Sequence, residues 1–400
     1  MRSNLNTVKV STILERVQTK VDVEPDKLYR EIGIRSHGKG IFHKEETSGK
    51  DIGNKRVFHI ESDCLVLNIV FAWEQAVAKT TTNEVGMIAS HRFPMYSPVQ
   101  GKVDLDYLLY YFKSPIGKYK LGLASPGGAG RNKTLGQKEF NELELKLPTY
   151  PEQKKIAQIL STWDKAIAQL ETLIELKEKR KRGLMRYRLD VGNGKGSMYR
   201  FEDIVSWTQL GTTSRGISSG GKAKKLVKMG NLNWGGLNLE KIEDIEGKEQ
   251  ELEAFCLKPG DLLFNTRNTP ELVGKSAVWK LSCSQYVFDN NINRIRFKDG
   301  FRPEYICSLL SNGHGKARLK AIAVGSTSVA AIYWKDLKRL KMSIPQSSFQ
   351  VKTVELFELL QNEIDEGKRL KSKIEMQKKA LMQQLLTGKK RVKLDEVDHG

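Results

Sequence analysis

Leu145-Lys-Leu-Pro-Thr-Tyr-Pro-Glu-Gln153 and Met342-Ser-Ile-Pro-Gln-Ser-Ser-Phe-Gln350 are two versions of one passage. Leu145, Leu147, Pro148 and Gln153 return as Met342, Ile344, Pro345 and Gln350, with Pro345 standing 197 positions after Pro148. The same displacement relates Trp163 to Leu360, Ile167 to Ile364, Leu173 to Leu370, Leu184-Met185 to Leu381-Met382 and Leu189 to Leu386, without an insertion. Recurrence in register over such a span marks a structural module present twice. Each copy reads as the end of a globular head followed by a long helix, so the chain has two similar binding heads on two similar spacers.

Downstream of the first copy the pattern turns helical. Pro151 suits the first helical position and Glu152 the positive end of the helix dipole. Ile156, Leu160, Trp163, Ile167, Leu170 and Ile174 follow the 4-3 spacing of a coiled-coil seam. Roughly forty residues at 1.5 Å each give a rod of about 60 Å. Val191-Gly-Asn-Gly-Lys-Gly-Ser197 reads as a hinge that ends it. After the second copy, Ser347-x-x-Gln350 resembles a capping box. Phe357, Leu360 and Ile364 hold a second seam, which meets Gly367 and Lys371 before Leu370, Ile374, Leu381 and Leu385 resume an apolar stripe. Neither stripe can be buried by one helix, and the economical partner is the other copy, packed antiparallel.

The expected architecture is therefore two α/β heads related by a pseudo-twofold and separated by two long antiparallel coiled-coil helices. Its boundaries are 1–149 for the first head, 150–190 for the central helix, 191–346 for the second head, 347–388 for the C-terminal helix and 389–400 for a polar tail. The heads mix short apolar runs, such as Cys64-Leu-Val-Leu-Asn-Ile-Val-Phe71, with turn clusters, such as Ser125-Pro-Gly-Gly-Ala-Gly130.

Across 400 residues, 67 Lys and Arg against 47 Asp and Glu leave a net charge of +20. Such a surplus points to a polyanionic partner, nucleic acid first. The four cysteines, Cys64, Cys256, Cys283 and Cys307, form no C-x-x-C pair, which argues against structural zinc and suits a reducing cytosol. No signal peptide or membrane span is expected, and the chain reads as cytoplasmic.

Catalytic constellations are missing. Gly274-Lys275-Ser276 resembles the end of a phosphate-binding loop, but Thr269 stands where that loop requires glycine. The six histidines, His37, His43, His59, His91, His314 and His399, make no metalloprotease or hydrolase pattern. Pro25-Asp26 and Glu144-Leu-Lys146 are too far apart to read as a nuclease carboxylate set.

Binding chemistry remains. Arg35-Ser-His-Gly-Lys-Gly-Ile-Phe-His-Lys44 concentrates cations, histidines and glycines in one loop, of which Arg35, His37, Lys39 and Lys44 are candidate DNA contacts. Arg131, Asn132 and Lys133 follow the glycine-rich turn. In the second head the candidates are Lys222 and Lys224, Arg267 and Asn268, Lys275, and Ser326 and Ser328. Asn290-Asn291 reads as turn chemistry.

With these residues in place, the chain resembles the DNA-specificity (S) subunit of type I restriction-modification systems. The resemblance lies in Leu147-Pro-Thr-Tyr-Pro-Glu-Gln-Lys-Lys-Ile-Ala-Gln-Ile-Leu160, Lys181-Arg-Gly-Leu-Met185, Gln377-Lys-Lys-Ala-Leu-Met-Gln-Gln-Leu-Leu-Thr-Gly388, Leu257-Lys-Pro-Gly-Asp-Leu-Leu-Phe264, Tyr29-Arg-Glu-Ile-Gly-Ile-Arg-Ser-His-Gly-Lys-Gly-Ile-Phe42 and Ala72-Trp-Glu74. It implies two target recognition domains that bind a split, asymmetric DNA sequence, with methyltransferase (M) subunits docked on the helices and restriction (R) subunits joining them. It implies no catalysis and no cofactor in this chain; the partners would use S-adenosylmethionine, ATP and magnesium. Two further classes fit the composition: a standalone two-headed DNA-binding regulator, and a protein scaffold whose basic heads merely add solubility.

Overall fold

The computed structural model describes residues 5–127, 133–213, 222–247, 252–282, 284–326 and 328–394. The chain divides into two compact units, Met1–Thr172 with Arg369–Gly400, and Leu173–Lys368. The long helices Tyr150–Lys195 and Ser347–Leu386 both run past that division. Each unit therefore combines a head with the opening half of the helix that follows it and the closing half of the other.

In the first unit, strand Asn6–Lys9 pairs antiparallel with Glu144–Leu147 and ties the two ends of the head together. Between them lie two four-stranded sheets. One takes the order Leu14–Val17, Met95–Pro98, Leu65–Leu67, Val77–Lys79; the other takes the order Ile41–Ser48, Leu28–Ile34, Ile88–Ser90, Val57–His59. Helices Leu105–Lys113 and Pro115–Leu123 meet at Ser114, whose hydroxyl accepts from Gly117 N (3.1 Å) and donates to Tyr111 O (2.6 Å). Gly117 has to be glycine, because a Cβ there would overlap Tyr111 O. The core gathers Leu65, Tyr96, Tyr107, Phe112 and Phe140, and it also takes in Ile156, Leu160, Leu385 and Leu386 from the two long helices.

The second unit repeats the plan. Ser197–Arg200 pairs antiparallel with Lys341–Ile344. A four-stranded sheet runs Val205–Leu210, Ile292–Phe297, Leu262–Asn265, Ser276–Val278. Two three-stranded sheets flank it in sequence: Glu243–Gly247, Lys222–Val227, Tyr286–Phe288, and Arg267–Asn268, Ala330–Ala331, Val324–Gly325. Helices Pro303–Ser311 and Gly313–Ile322 meet at Asn312, whose side chain accepts from Gly315 N (2.6 Å). Asn312 and Gly315 lie 198 positions after Ser114 and Gly117, and a Cβ on Gly315 would likewise overlap a backbone carbonyl, that of Leu309.

The two glutamines of the repeated passage explain why it is repeated. Gln153 Oε1 accepts from Asp104 N (2.9 Å), while its amide donates to Pro148 O (3.0 Å) and Lys102 O (3.4 Å). Gln350 Oε1 accepts from Arg302 N (2.9 Å), while its amide donates to Pro345 O (2.8 Å) and Gly300 O (3.1 Å). Both side chains are buried and latch the start of a long helix onto the turn that leads into a head helix. Gln350 thus spends its amide on this latch, so the capping box expected at Ser347 does not form. The true cap is at the first helix: Glu152 Oε2 accepts from both the backbone N (3.1 Å) and the hydroxyl (2.9 Å) of Thr149.

Within each unit the two helix halves run antiparallel. In the first, Asp164 pairs with Lys378 and Glu171 with Lys371 (2.6 Å). In the second, Lys177 pairs with Glu363 (3.3 Å), Glu178 with Lys368 (2.7 Å) and Lys181 with Gln361. Ile156, Leu160, Ile174, Phe357, Leu360 and Ile364 are buried; Trp163, Ile167, Leu170 and Leu381 are half-buried. Leu370, read as part of the stripe, is 48% exposed, because two helices bury only a narrow line between them and Lys371 faces the partner helix instead. Gly367 fits that line, with Ile174 packed where its Cβ would be.

The expected hinge is also different. Val191-Gly-Asn-Gly-Lys195 continues the first helix to Lys195, past the boundary set at 190. A Cβ on Gly192 would overlap Tyr305 Oη and crowd the Phe349 ring, and Ser343 Oγ donates to Asn193 O. The glycine removes a side chain where the helix lies against the head, which accounts for its presence inside a continuous helix.

Candidate nucleic-acid interface

In the first head, Leu28–Ile34 and Ile41–Ser48 form a hairpin whose turn is Arg35 to Gly40, closed by Arg35 N donating to Gly40 O (3.0 Å). His37 adopts a left-handed φ of 60°, as do Gly38 and Gly40 beside it. The turn is pinned: His37 N donates to Glu74 O (2.7 Å), Gly38 N to Gln75 O (2.9 Å), and Ser36 Oγ to the Glu74 carboxylate (3.0 Å). The stretches around Arg35 and Ala72-Trp-Glu74, far apart in sequence, are thus joined. Arg35, His37 and Lys39 are exposed on this rigid turn, with the Arg35 guanidinium 4.8 Å over Phe42. Lys44 is exposed but paired with Glu31 (3.1 Å), so its charge is partly answered within the hairpin.

Lys133 comes to the same neighbourhood, its ammonium 5.7 Å over the Trp73 ring. Arg131 and Asn132 lie outside the described residues. Trp73 was not among the sequence candidates, although an aromatic ring beside a basic side chain, as Trp73 stands beside Lys133, is a recognisable feature of nucleic-acid binding surfaces. Behind the hairpin, His43 Nε2 meets Glu84 Oε1 at 2.8 Å. Burial pushes the Glu84 carboxyl up, but hydrogen bonds from His43 and Thr81 more than offset it, and the group is held below its usual value.

In the second head, Arg267-Asn268 pairs with Ala330-Ala331, which pairs in turn with Val324-Gly325. Ser326 and Ser328 sit at the tip of that hairpin, their hydroxyls 3.3 Å apart. Four candidates far apart in sequence therefore belong to one small sheet. Arg267, Ser326 and Ser328 are exposed; Asn268 is half-buried, with its side-chain carbonyl accepting from Thr269 N (2.9 Å). Lys275 is half-buried, next to the base of this sheet, where its backbone carbonyl accepts from Asn265 N (2.8 Å). Gly274-Lys275 leads into the strand Ser276–Val278, so no helix N-terminus stands there to receive phosphate.

The remaining lysines belong to another sheet. Lys224 is committed to the head itself, donating to Ser284 O (3.0 Å) and Cys256 Sγ (3.3 Å). Lys222 opens the same strand, and its side chain lies outside the described residues. The Leu257–Phe264 string proves architectural: Asp261 Oδ2 accepts from Lys258 N (2.8 Å), and its carboxylate, 1% exposed, pairs with Arg296 (2.6 Å) and Arg294 (3.6 Å). Among the described residues, no group of three or more His, Cys, Asp or Glu side chains is placed to hold a metal ion, and no helix is long and apolar enough to cross a membrane.

Residues 54–178 match the family described as Type I restriction modification DNA specificity domain. The chain is 26% identical over 364 residues to the type I restriction enzyme MjaVIII specificity subunit of Methanocaldococcus jannaschii, covering 86% of this chain and 82% of that protein. It is 24% identical over 274 residues to the EcoKI specificity subunit of Escherichia coli, covering 64% and 58%. In fold it resembles the HsdS subunit from Thermoanaerobacter tengcongensis (TM-score 0.56, 14% identity, 97% and 98% covered) and a chain from a structure of the type I R-M system (TM-score 0.58, 15% identity, 95% and 97% covered). The chain thus contains a match to the specificity-domain family at residues 54–178, is similar along most of its length to type I restriction enzyme specificity subunits, and shares their fold over nearly its whole length.

Proposed function

We propose that this chain is the DNA sequence-specificity subunit of a type I restriction-modification complex, that each head reads one part of a split asymmetric target, and that it performs no chemistry itself. The observation that supports this best is the twice-built head, with the same glutamine latch at Gln153 and Gln350 holding each onto a long helix. Two readers in one chain suit a target in two parts. Exposed cations on a rigid turn in the first head and on a small sheet in the second supply contacts to phosphates and base edges.

The helices offer the docking surface for M subunits. Leu173, Leu176, Leu359, Leu370 and Met376 lie exposed on them, apolar side chains that a monomer has no use for. R subunits would join through that complex, and S-adenosylmethionine, ATP and magnesium would be bound by the partners. The setting is cytoplasmic.

The test is co-expression with the cognate methyltransferase subunit, followed by selection of bound duplexes from a random library. A co-purifying complex that selects a two-part sequence is the expected result. Tight specific binding by the chain alone would favour a standalone regulator. A weak dependence of affinity on salt would favour a scaffold, since contact with six or more phosphates makes that dependence steep.

A further inference from the structure

The second head contains a cavity of 370 Å³ beside the Arg267 sheet. Its walls are fixed by backbone hydrogen bonds: Ile332 N to Thr266 O (2.9 Å), Thr266 N to Asn291 O (2.8 Å), Gly211 N to Ile292 O (3.1 Å) and Asn290 N to Thr212 O (3.1 Å). Thr266 Oγ1 adds a further bond to Asn291 O (2.9 Å). These bonds join four separate chain segments, so the cavity is shaped before any ligand arrives. Arg267, Asn290 and Tyr333 are exposed at its rim, Tyr333 by 48%.

What lines it is as telling as its shape. Four other cavities of the chain each include a carboxylate: Asp190 in one, Glu304 and Glu358 in another, Asp261 and Asp299 in a third, Glu144 in the fourth. Among the described residues this one includes none; its polar lining is guanidinium, amide, hydroxyl and phenol. Asp289, next to the rim in sequence, is buried and accepts from Asn291 N (3.0 Å). Among the described residues, a mouth with a guanidinium, neutral groups that donate and accept, an exposed ring and no carboxylate suits the polyanionic edge of a duplex.

We infer that this cavity mouth is where the second head reads duplex DNA, with Asn290 at a base edge, Arg267 at the adjoining phosphate and the Tyr333 ring packed on the nucleotide between them. The assignment rests on the function proposed above and adds two residues to it: Asn290, whose type also suits a turn, and Tyr333, which carries no sequence motif. Asn carries both a donor and an acceptor on a short side chain, which lets it discriminate bases rather than merely attract them. In a duplex the base faces are already stacked, so the Tyr333 ring packs on the sugar and contributes affinity without reading the base.

The experiment uses the full chain in complex with its methyltransferase subunit, with bound duplexes selected from a random library for the wild type and for N290D, Y333A and N312D. N290D places a carboxylate at the mouth and is nearly isosteric. N312D makes the same charge change in the same unit at a helix cap that aspartate fills equally well. Expected are loss of base preference in one half of the target with N290D, at a cost of about tenfold or more in affinity, weaker binding with Y333A, and wild-type behaviour with N312D. Unchanged selection by N290D and Y333A in complexes that melt like the wild type overturns the assignment and leaves the specificity function standing. Equal loss with N312D reduces the effect to net charge and also overturns it. A wild-type complex that selects no sequence overturns both readings.

Discussion

Gln153 and Gln350 show what a single residue contributes here. Each is a buried amide whose donor and acceptor are all answered by backbone groups of the head, so truncation leaves those groups unpaired and dry. Gln153→Ala and Gln350→Ala should each lower unfolding stability by about 1–3 kcal/mol, and the double variant by close to the sum, because the two sites share no partner. Urea titration of the single and double variants checks this. Gly192 offers a sharper contrast. In an open helix, alanine would stabilise by up to about 1 kcal/mol; against Tyr305 and Phe349 it should instead destabilise, measurably in a melting curve.

At the scale of elements, the start of the first helix meets the residues just past the end of the second. Arg391 donates to Glu152 (2.7 Å), and Thr149 donates to the same carboxylate. Burial pushes the Glu152 carboxyl up, yet the hydrogen bonds from Arg391 and Thr149 outweigh it and hold the group below its ordinary value of 4.5. A depressed carboxylate contributes stability above its unfolded value, and that contribution disappears as pH falls through the folded one. Arg391→Ala should therefore be less stable than the wild type at neutral pH, with the difference closing as pH drops below the carboxylate range. Melting temperatures of both proteins across an acid titration provide the measurement. The second helix has Phe349 where the first has Glu152, and there Arg188 stacks on the ring at 4.3 Å. The two helix starts are thus held by different chemistry on one plan, and that acid-sensitive contribution belongs to the first alone.

At the scale of the whole molecule, both long helices continue from one unit into the other, 46 and 40 residues long. Stiff helices do not stretch, so the proposed split-target reading makes their length a ruler. Inserting four residues in each helix at the Thr172/Leu173 and Lys368/Arg369 junctions adds about 6 Å and should shift the preferred gap between half-sites by one or two base pairs. Selection of bound DNA with and without the insertions reads the shift directly, and an unchanged gap would defeat the ruler.

Repetition, charge and helical period were legible from the residues alone. The displacement that pairs Pro148 with Pro345 is covalent order, and the 4-3 spacing of Ile156, Leu160 and Trp163 reflects the geometry of any helix. The second trace of duplication, Ser114-x-x-Gly117 against Asn312-x-x-Gly315, was present too but one residue out of step and spelled with a different cap. Only the tertiary structure decided what glycine and basic residues were for. Gly192 in a helix signals a bend or a close contact according to what lies against it, and whether a cation such as Lys224 or Arg267 is committed inside the head or exposed is set by the neighbours that fold around it. Those neighbours, Tyr305 in one case and Ser284 and Cys256 in the other, arrive from distant parts of the chain, and no local pattern in sequence records their approach.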